Sequence, residues 1–444
     1  MTAEVAIINS NAVAIAADSA VTIGQGKKIY NSAIKVFALS KIQPISIMVY
    51  GNAGLLGVPW ETIIKIYRSE LGDTSFKTLE EYAKHFLSYL AKQDRFFTET
   101  VQESWILRNI QGYFEAIRET YFSDVQAEFK KTGSVDEKQT IEIFKNCVKS
   151  HHDRLGGLNY VDGITKADEK KIRDKYQNKS KEIIKEVFQN VKPDRTTTTK
   201  LLNISAYIHT REIFSDAVSG VVIAGFGVED IYPSVCTHEI EGVIEGKLKH
   251  VYLDRKSYRI KSGADCSIIA FAQDDMVASF VEGANPSVSR FIVNYLEQLF
   301  NRLPELIDEE EMAGDSKKKN EVRKRLKEDA DKLLDSFLQQ INIHKRMKHI
   351  DPILSMVQVL PKDELAAMAE SLVNLTAFKR RMTDSLETVG GPVDVAVISK
   401  GDGLVWVKRK HYFPKELNQH FFANYFREQS CPCGESTSEG ETNE

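Results

Sequence analysis

The chain has 444 residues, of which 42% are hydrophobic, enough to bury a large core and to form more than one folding unit. Its 59 lysines and arginines against 63 aspartates and glutamates give a net charge of −4, a balance that argues against nucleic acid as a partner. The sequence shows no run of about 18 apolar residues and no secretory signal, and its five cysteines are an odd number. We therefore expect a globular, cytoplasmic protein with reduced cysteines and no membrane partner.

Two short apolar runs stand near the start of the chain. Residues 5–8 and 13–17 are separated by Asn9-Ser10-Asn11, which has the composition of a turn. This pattern predicts a hairpin of buried strands. Because a terminus that enters a core strand is ordered, we expect the second residue to lie close to the sheet.

The next elements follow the order strand, glycine turn, helix. Residues 45–50 read as a strand that ends in Gly51-Asn52-Ala53-Gly54. Apolar residues then recur at helical spacing over 58–71, in a helix that opens after Pro59.

Residues 77–214 differ in character, because charged residues alternate there with apolar and aromatic residues at helical spacing. We interpret these aromatics as the buried stripe of a helical bundle rather than as a cofactor site. Within this region, residues 166–190 are rich in lysine and glutamate and predict a solvated helix or helix pair.

Strand patterns return after residue 214 and alternate with further helices to the end. We predict strands at 220–227, 251–253 and 266–271, an amphipathic helix over 291–303, a charged solvated segment over 308–335, a helix over 365–382, a hairpin of 393–398 with 404–407, and a disordered acidic tail over 429–444. The order strands, helices, strands, helices, strands favours an α+β fold with two sheets covered by helices.

Thr2 is the first candidate for chemistry. Methionine is normally trimmed when the second residue is small, so we expect Thr2 to become the first residue without cleavage of a propeptide. An N-terminal threonine combines a nucleophile and a base, since its α-amine, with an ordinary pKa near 8, can accept the hydroxyl proton. No histidine is then required.

Three other residues have suitable chemistry for such a site. Asp18 stands at the end of an apolar strand and would be costly to bury without a cation, for which Lys35 is a candidate. A lysine beside a free amine favours the neutral amine, because like charges disfavour protonation. The backbone amide of Gly51, at a turn between a strand and a helix, is a suitable donor to an oxyanion.

These residues, together with the segments 14–19, 31–37 and 48–54, resemble the opening part of proteasome β subunits and of the related bacterial peptidase HslV. The spacing from Thr2 to Asp18 matches that family without a gap, and one residue is inserted between Asp18 and Lys35. The resemblance implies that Thr2 is the nucleophile, Lys35 its electrostatic activator, Asp18 the partner of that lysine, and Gly51 the oxyanion donor.

The resemblance also extends to residues 219–227 and to Gly390-Gly391 with the hairpin that follows. It implies a four-layer αββα N-terminal-nucleophile hydrolase sandwich, built from residues 1–76 and 215–428. The helical region 77–214 has no counterpart in that family and is read as an insertion. Residues 429–444 form the predicted tail.

The accessory positions of the family differ here. A serine before the glycine pair and an aspartate three residues earlier are replaced by Val389 and Leu386, with Asp384, Glu387 and Thr388 nearby but out of register. The other accessory serine would fall near Ala272 and Gln273, so Gln273 and Asp274 are candidates for a replacement.

The resemblance implies a threonine hydrolase that cleaves amide bonds, most simply a peptidase acting on peptides or proteins, and it implies a homo-oligomer. Neither a cofactor nor a metal is expected: His151-His152-Asp153 lacks the spacing of a metal site, and Cys431-Pro432-Cys433 is too short for a zinc knuckle.

Two alternative functions stay open. One is a non-catalytic scaffold whose working surface is the helical insertion, and the other is a small-molecule amidase of the same architecture.

Overall fold

The computed structural model describes residues 3–23, 28–302, 316–383 and 389–426. Thr2, Leu386, Asp384, Glu387, Thr388, Cys431 and Cys433 therefore lie outside the described residues, as does the predicted tail. The described chain is a mixed α+β structure with antiparallel sheets.

The elements follow the order strands, helices, strands, helices, strands. They are β1 (Glu4–Ile8), β2 (Ala12–Ala17), β3 (Val21–Ile23), β4 (Lys28–Tyr30), β5 (Val36–Ala38), β6 (Ile45–Gly51), β7 (Gly54–Leu55), β8 (Val58–Pro59), α1 (Trp60–Leu71), α2 (Leu79–Ala91), α3 (Glu99–Thr132), α4 (Glu137–Gly156), α5 (Lys166–Val187), α6 (Arg195–Thr210), β9 (Ser219–Gly225), β10 (Ser234–Ile244), β11 (Lys247–Tyr252), β12 (Tyr258–Arg259), β13 (Ser267–Ala270), α7 (Asp275–Glu282), α8 (Pro286–Arg302), α9 (Ser316–Lys345), α10 (Asp351–Val359), α11 (Lys362–Arg381), β14 (Asp394–Ser399), β15 (Gly403–Lys408) and α12 (Gln419–Phe426).

The first sheet has the strand order β13-β1-β2-β14-β15 and is antiparallel throughout. The hairpin predicted at the start of the chain forms its centre, with β1 paired to β2. Every residue of β1, β2 and β14 is buried, so both faces of these strands are covered. Continuous apolar runs rather than alternating ones are typical of such strands.

The second sheet has the order β11-β10-β9-β6-β5, and β12 pairs with β10 at its side. In the pairing of β6 with β9, Tyr50 lies opposite Gly220. A Cβ atom at Gly220 would lie 1.9 Å from Cζ of Tyr50, so only glycine leaves room for that ring. This close approach fixes the end of β6, where Gly51 follows.

Each sheet is covered on both faces. One hydrophobic cluster lies between the sheets and joins Ile15 of the first to Val222 of the second. A second cluster packs the other face of the first sheet against α7, α10 and α11, and a third packs the other face of the second sheet against α1 and α2. Buried apolar area of this extent is the main source of stability for the sheet pair.

Helices α3 to α6 form a separate cluster around the aromatic stripe seen in the sequence, which includes Trp105 and Phe114. Each of these helices begins at a residue whose side chain accepts a backbone amide: Thr98, Asp136, Thr165 and Asp194. None of the helices among the described residues combines the length and the apolar composition needed to cross a membrane.

The helical cluster is joined to the second sheet by a buried charge. The ammonium of Lys249, in β11, donates to the carbonyl oxygens of Ile208 and Ile213 at 2.7 and 2.6 Å and pairs with the carboxylate of Glu241 in β10. Three acceptors satisfy its three N–H donors, which is the condition under which a buried lysine is tolerated.

His209 lies at the same junction, near the end of α6. Its Nδ1 is 2.8 Å from the carbonyl oxygen of Ser205, and its ring meets that of Trp105 edge-on at 5.4 Å. Burial lowers the pKa of His209 to about 4, and the charge of Lys249 acts in the same direction. The neutral ring is therefore the form that the fold favours.

We predict that His209 makes stability depend on pH. Because its folded pKa lies below the ordinary value near 6.5, its contribution is complete above pH 6.5 and is lost as the pH falls towards 4. In His209→Gln, the decrease in urea midpoint between pH 7 and pH 4.5 should be smaller than in the parent protein. His344→Gln, at an exposed position, is the control and should leave the decrease unchanged. Equal pH dependence in His209→Gln and the parent would contradict the prediction.

Candidate active site

Ala3 lies beside Asp18 at the end of the first sheet where β1 begins and β2 ends. Glu4 pairs with Ala17, so the residues that flank this pair face each other across the strands. The amide of Asp18 donates to the carbonyl oxygen of Ala3 at 3.1 Å, and the amide of Ala3 donates to Oδ1 of Asp18 at 3.1 Å. Asp18 is thus held directly to the residue that follows Thr2 in the chain.

Lys35 lies just before β5 and forms an ion pair with Asp18. Its Nζ is 2.5 Å from Oδ1 of Asp18, and the two side chains are 8% and 0% exposed. Water cannot solvate charges buried to this degree, so each side chain requires the other as its counter-charge. The structure therefore brings together two of the four residues predicted from the sequence.

Asp18 also accepts bonds from two further amides. Its Oδ2 lies 2.9 Å from the amide of Gly390 and 3.3 Å from that of Ala20. With Ala3 and Lys35, four donors from separate parts of the chain converge on one carboxylate. Such a set of bonds fixes the position of the carboxyl group.

Gly51 ends β6 on the side of the sheet where Lys35 lies. The amide of Val49 donates to the carbonyl oxygen of Lys35 at 3.0 Å, and the direction of amides alternates along a strand. The amide of Gly51, two residues further on, is therefore directed towards the same edge.

Gly51 is also a position that only glycine fits. Its φ is +81°, in the left-handed region, and a Cβ atom there would lie 2.5 Å from the carbonyl oxygen of Val218. The backbone at the end of β6 is thereby fixed in a conformation that residues with a side chain rarely adopt.

The positions that correspond to the accessory residues of the resembling family lie near the ends of β1 and β2. Val389 is fully buried in the cluster between the first sheet and α11, while Gly390 next to it bonds to Asp18. Gln273 follows β13, which pairs with β1, and it is 6% exposed. Its Oε1 accepts a bond from Nε of Arg380. Asp274 is the N-cap residue of α7. Gln273 therefore lies near the start of β1 and is held there by the guanidinium of Arg380 from α11.

A second buried ion pair lies beside the first, and its members are not among the residues predicted from the sequence. Asp394 opens β14 and pairs with Ala17, the neighbour of Asp18. Its Oδ2 is 2.6 Å from Nζ of Lys410, and its Oδ1 accepts the amide of the same lysine at 2.8 Å. The sequence did hold a signal: Asp394 interrupts an apolar strand, as Asp18 ends one.

Other candidates lie apart from this site. His151 and His152 are on α4, and no group of three or more metal-ligating side chains occurs within 3–23, 28–302, 316–383 and 389–426. Cys147 and Cys236 are buried, and burial raises the pKa of these thiols to about 11 and about 12. Neither thiol is therefore suited to act as a nucleophile at neutral pH.

No protein-family model matches this chain, and no curated protein sequence is significantly similar to it.

We predict that Asp18→Asn strongly destabilises the protein. The substitution leaves the Lys35 ammonium buried without a counter-charge, and one amide oxygen cannot replace a carboxylate with four donors. Loss of one partner of a buried pair costs about 3–5 kcal/mol. The free energy of unfolding in urea measures the change.

The matched control is Asp402→Asn, which removes the carboxylate of an exposed pair with Lys362. Exposed pairs contribute less than about 1 kcal/mol, so this variant should stay close to the parent protein. Similar changes in the two variants would show that burial of the Asp18 pair has no special energetic weight.

Proposed function

We propose that this chain is an N-terminal threonine hydrolase that cleaves amide bonds, with Thr2 as nucleophile after removal of Met1. The observation that carries the proposal is the buried Asp18–Lys35 pair, which is hydrogen-bonded to Ala3, the residue that follows Thr2. This location, rather than the pair alone, supports a catalytic role.

In the proposed reaction, the Thr2 hydroxyl oxygen attacks the substrate carbonyl carbon while the Thr2 α-amine accepts the hydroxyl proton. The positive charge of Lys35 keeps that amine neutral beforehand, since like charges disfavour its protonation. The amide of Gly51 donates to the oxyanion that develops on the carbonyl oxygen.

The C–N bond then breaks, and the amine fragment leaves with the proton that the α-amine had taken. An ester between the acyl group and Thr2 remains. Water attacks this ester with the α-amine again as base, which releases the carboxylic acid and restores the free threonine.

The fold supports the same proposal at a coarser level. The two sheets pack face to face, and helices cover the outer face of each, which agrees with the four-layer αββα arrangement of N-terminal-nucleophile hydrolases. Within this proposal, helices α3 to α6 belong to an insertion on the second sheet.

We propose a peptide or protein as substrate and a homo-oligomer as the working form, as in the proteins that the sequence resembles. An exposed apolar stripe on α8 supports association between chains, because such stripes are typical of interfaces. Its members are Val288, Phe291, Ile292, Tyr295 and Leu299.

The test is covalent labelling with a β-lactone, an electrophile that acylates a hydroxyl nucleophile. We expect intact-mass analysis to show loss of Met1, and one added probe mass in the parent protein. Peptide mapping should place the adduct on Thr2, and Thr2→Ala should not be labelled.

Lys35→Met should slow labelling at neutral pH by about 100-fold or more, since it removes the activating charge. Lys65→Met is its matched control, because Lys65 is an exposed lysine in a simple helix pair with Glu61, and it should label at the parent rate. Retained Met1, or labelling that persists in Thr2→Ala, would favour the scaffold alternative instead.

Comparing small amides with peptides as competitors of labelling would distinguish an amidase from a peptidase.

A further inference from the structure

We infer that Asp394 and Lys410 form a positioning pair that sets the charge at the Thr2 site. The inference rests on the proposed function and adds two residues to it. Neither side chain is assigned to the reacting atoms; both act through Asp18 and Lys35.

The backbone next to Asp394 is tied to the Asp18 segment at several points. Gly390 donates its amide to Asp18 and accepts the amide of Ser19 at 3.1 Å. The hydroxyl of Ser19 donates to the carbonyl oxygen of Pro392. Asp394 itself is paired with Ala17 in the sheet. The chain from Gly390 to Asp394 therefore runs along the Asp18 segment, and a change at one end is transmitted to the other.

Asp394 and Lys410 are held more firmly than a surface pair. Both carboxylate oxygens accept from Lys410, one from its Nζ and one from its backbone amide. The side chains of Asp394 and Lys410 are 2% and 10% exposed. A pair buried this deeply is costly to form and contributes little net stability, so stability does not account for its presence.

The two pairs influence each other electrostatically. Burial lowers the pKa of Lys410, and the hydrogen bond that Lys410 donates to Asp394 raises it. The charge of Lys35 also lowers this pKa, whereas the charge of Asp18 raises it. The charges of Asp18 and Lys35 are thus close enough to act on Lys410. In a partly buried setting such interactions are much stronger than in water.

Further charged groups near Asp394 belong to the segment after β15. Burial lowers the pKa of His411. The charges of Arg409 and Lys415 lower it as well, whereas the charge of Asp394 raises it. The guanidinium of Arg409 lies over the ring of Trp406 at 4.7 Å. Lys410 is the member of this segment that pairs with Asp394, so it is the one whose charge Asp394 balances directly.

The two members of the pair should have opposite effects on the reacting amine. Lys410→Met leaves the Asp394 anion, which favours a protonated, inactive α-amine. Asp394→Asn leaves the Lys410 cation, which favours the neutral, active form. The double variant removes both charges, and an exchange of a whole buried pair for neutral groups is usually tolerated.

The first experiment measures the pH dependence of β-lactone labelling at Thr2. We expect the acid limb to move to higher pH in Lys410→Met and to lower pH in Asp394→Asn, by about 0.5–1 pH unit each. The double variant should return close to the parent profile. Lys408→Met, in an exposed pair on the same hairpin, should not move the limb.

Rates that fall in both single variants with no opposite movement of the limb would overturn the inference, because a merely structural pair produces that pattern. If a single variant does not fold, the other and the double variant still decide between the two outcomes.

The second experiment does not depend on activity. Lysines are dimethylated with ¹³C-formaldehyde, and the Lys410 signal, identified by its loss in Lys410→Met, is followed by NMR against pH. Its titration midpoint should rise in Lys35→Met, which removes a like charge, and fall in Asp18→Asn, which removes an opposite one.

An unmoved midpoint in both variants would overturn the inference, whatever the enzymatic result. Absence of labelling in the parent protein, by contrast, would contradict the proposed function, and the NMR titration would then decide by itself whether the two pairs are coupled.

Discussion

The carboxylate of Asp18 is fully buried at the end of the central strand of the first sheet, and four donors must reach it there. They come from Ala3, Ala20 and Lys35 in the first part of the chain and from Gly390, which is 372 residues away from Asp18. A buried carboxylate without such partners would be protonated or would disrupt the fold. The requirement to satisfy one carboxylate therefore determines where the start of the chain, the segment before β5 and the approach to β14 must meet.

The two sheets are what make this meeting possible. The first contributes Ala3 and Asp18 through the pairing of β1 with β2, and the second contributes Lys35 and Gly51 around β5 and β6. The apolar cluster between the sheets fixes their relative position. Because interiors are tightly packed, a small change in that cluster would shift Lys35 relative to Asp18. The helices on the outer faces stabilise the sheets without contributing a side chain to the pair.

The sequence predicted the elements whose signals are local. The opening hairpin, the helix after Pro59 and the closing hairpin follow from apolar runs and turn residues within about twenty positions. Asp18 and Lys35 could be proposed because the cost of burying a carboxylate points to a nearby cation, and because the segment resembles a known family.

The remaining features depend on contacts between distant segments, and local patterns do not specify those. Strand β10 was not predicted, because His238 and Glu241 interrupt its apolar character. The burial of Glu241 is explained by Lys249 on the neighbouring strand and by the amide of Ser215, which donates to its carboxylate. Asp394 and Lys410 were missed because their pairing depends on the register of β14 against β15, which shifts between Val395 and Ala396. Thr2 lies outside the described residues, so its place at the site stays a prediction.

The most direct test of the central claim is a crystal structure of the protein after reaction with a peptide boronate. The account predicts a free amino group on Thr2, boron bonded to its Oγ, and a boronate oxygen within hydrogen-bonding distance of the Gly51 amide, with Lys35 still paired to Asp18. A boronate bound elsewhere, or a Thr2 hydroxyl remote from Lys35 and Gly51, would contradict it.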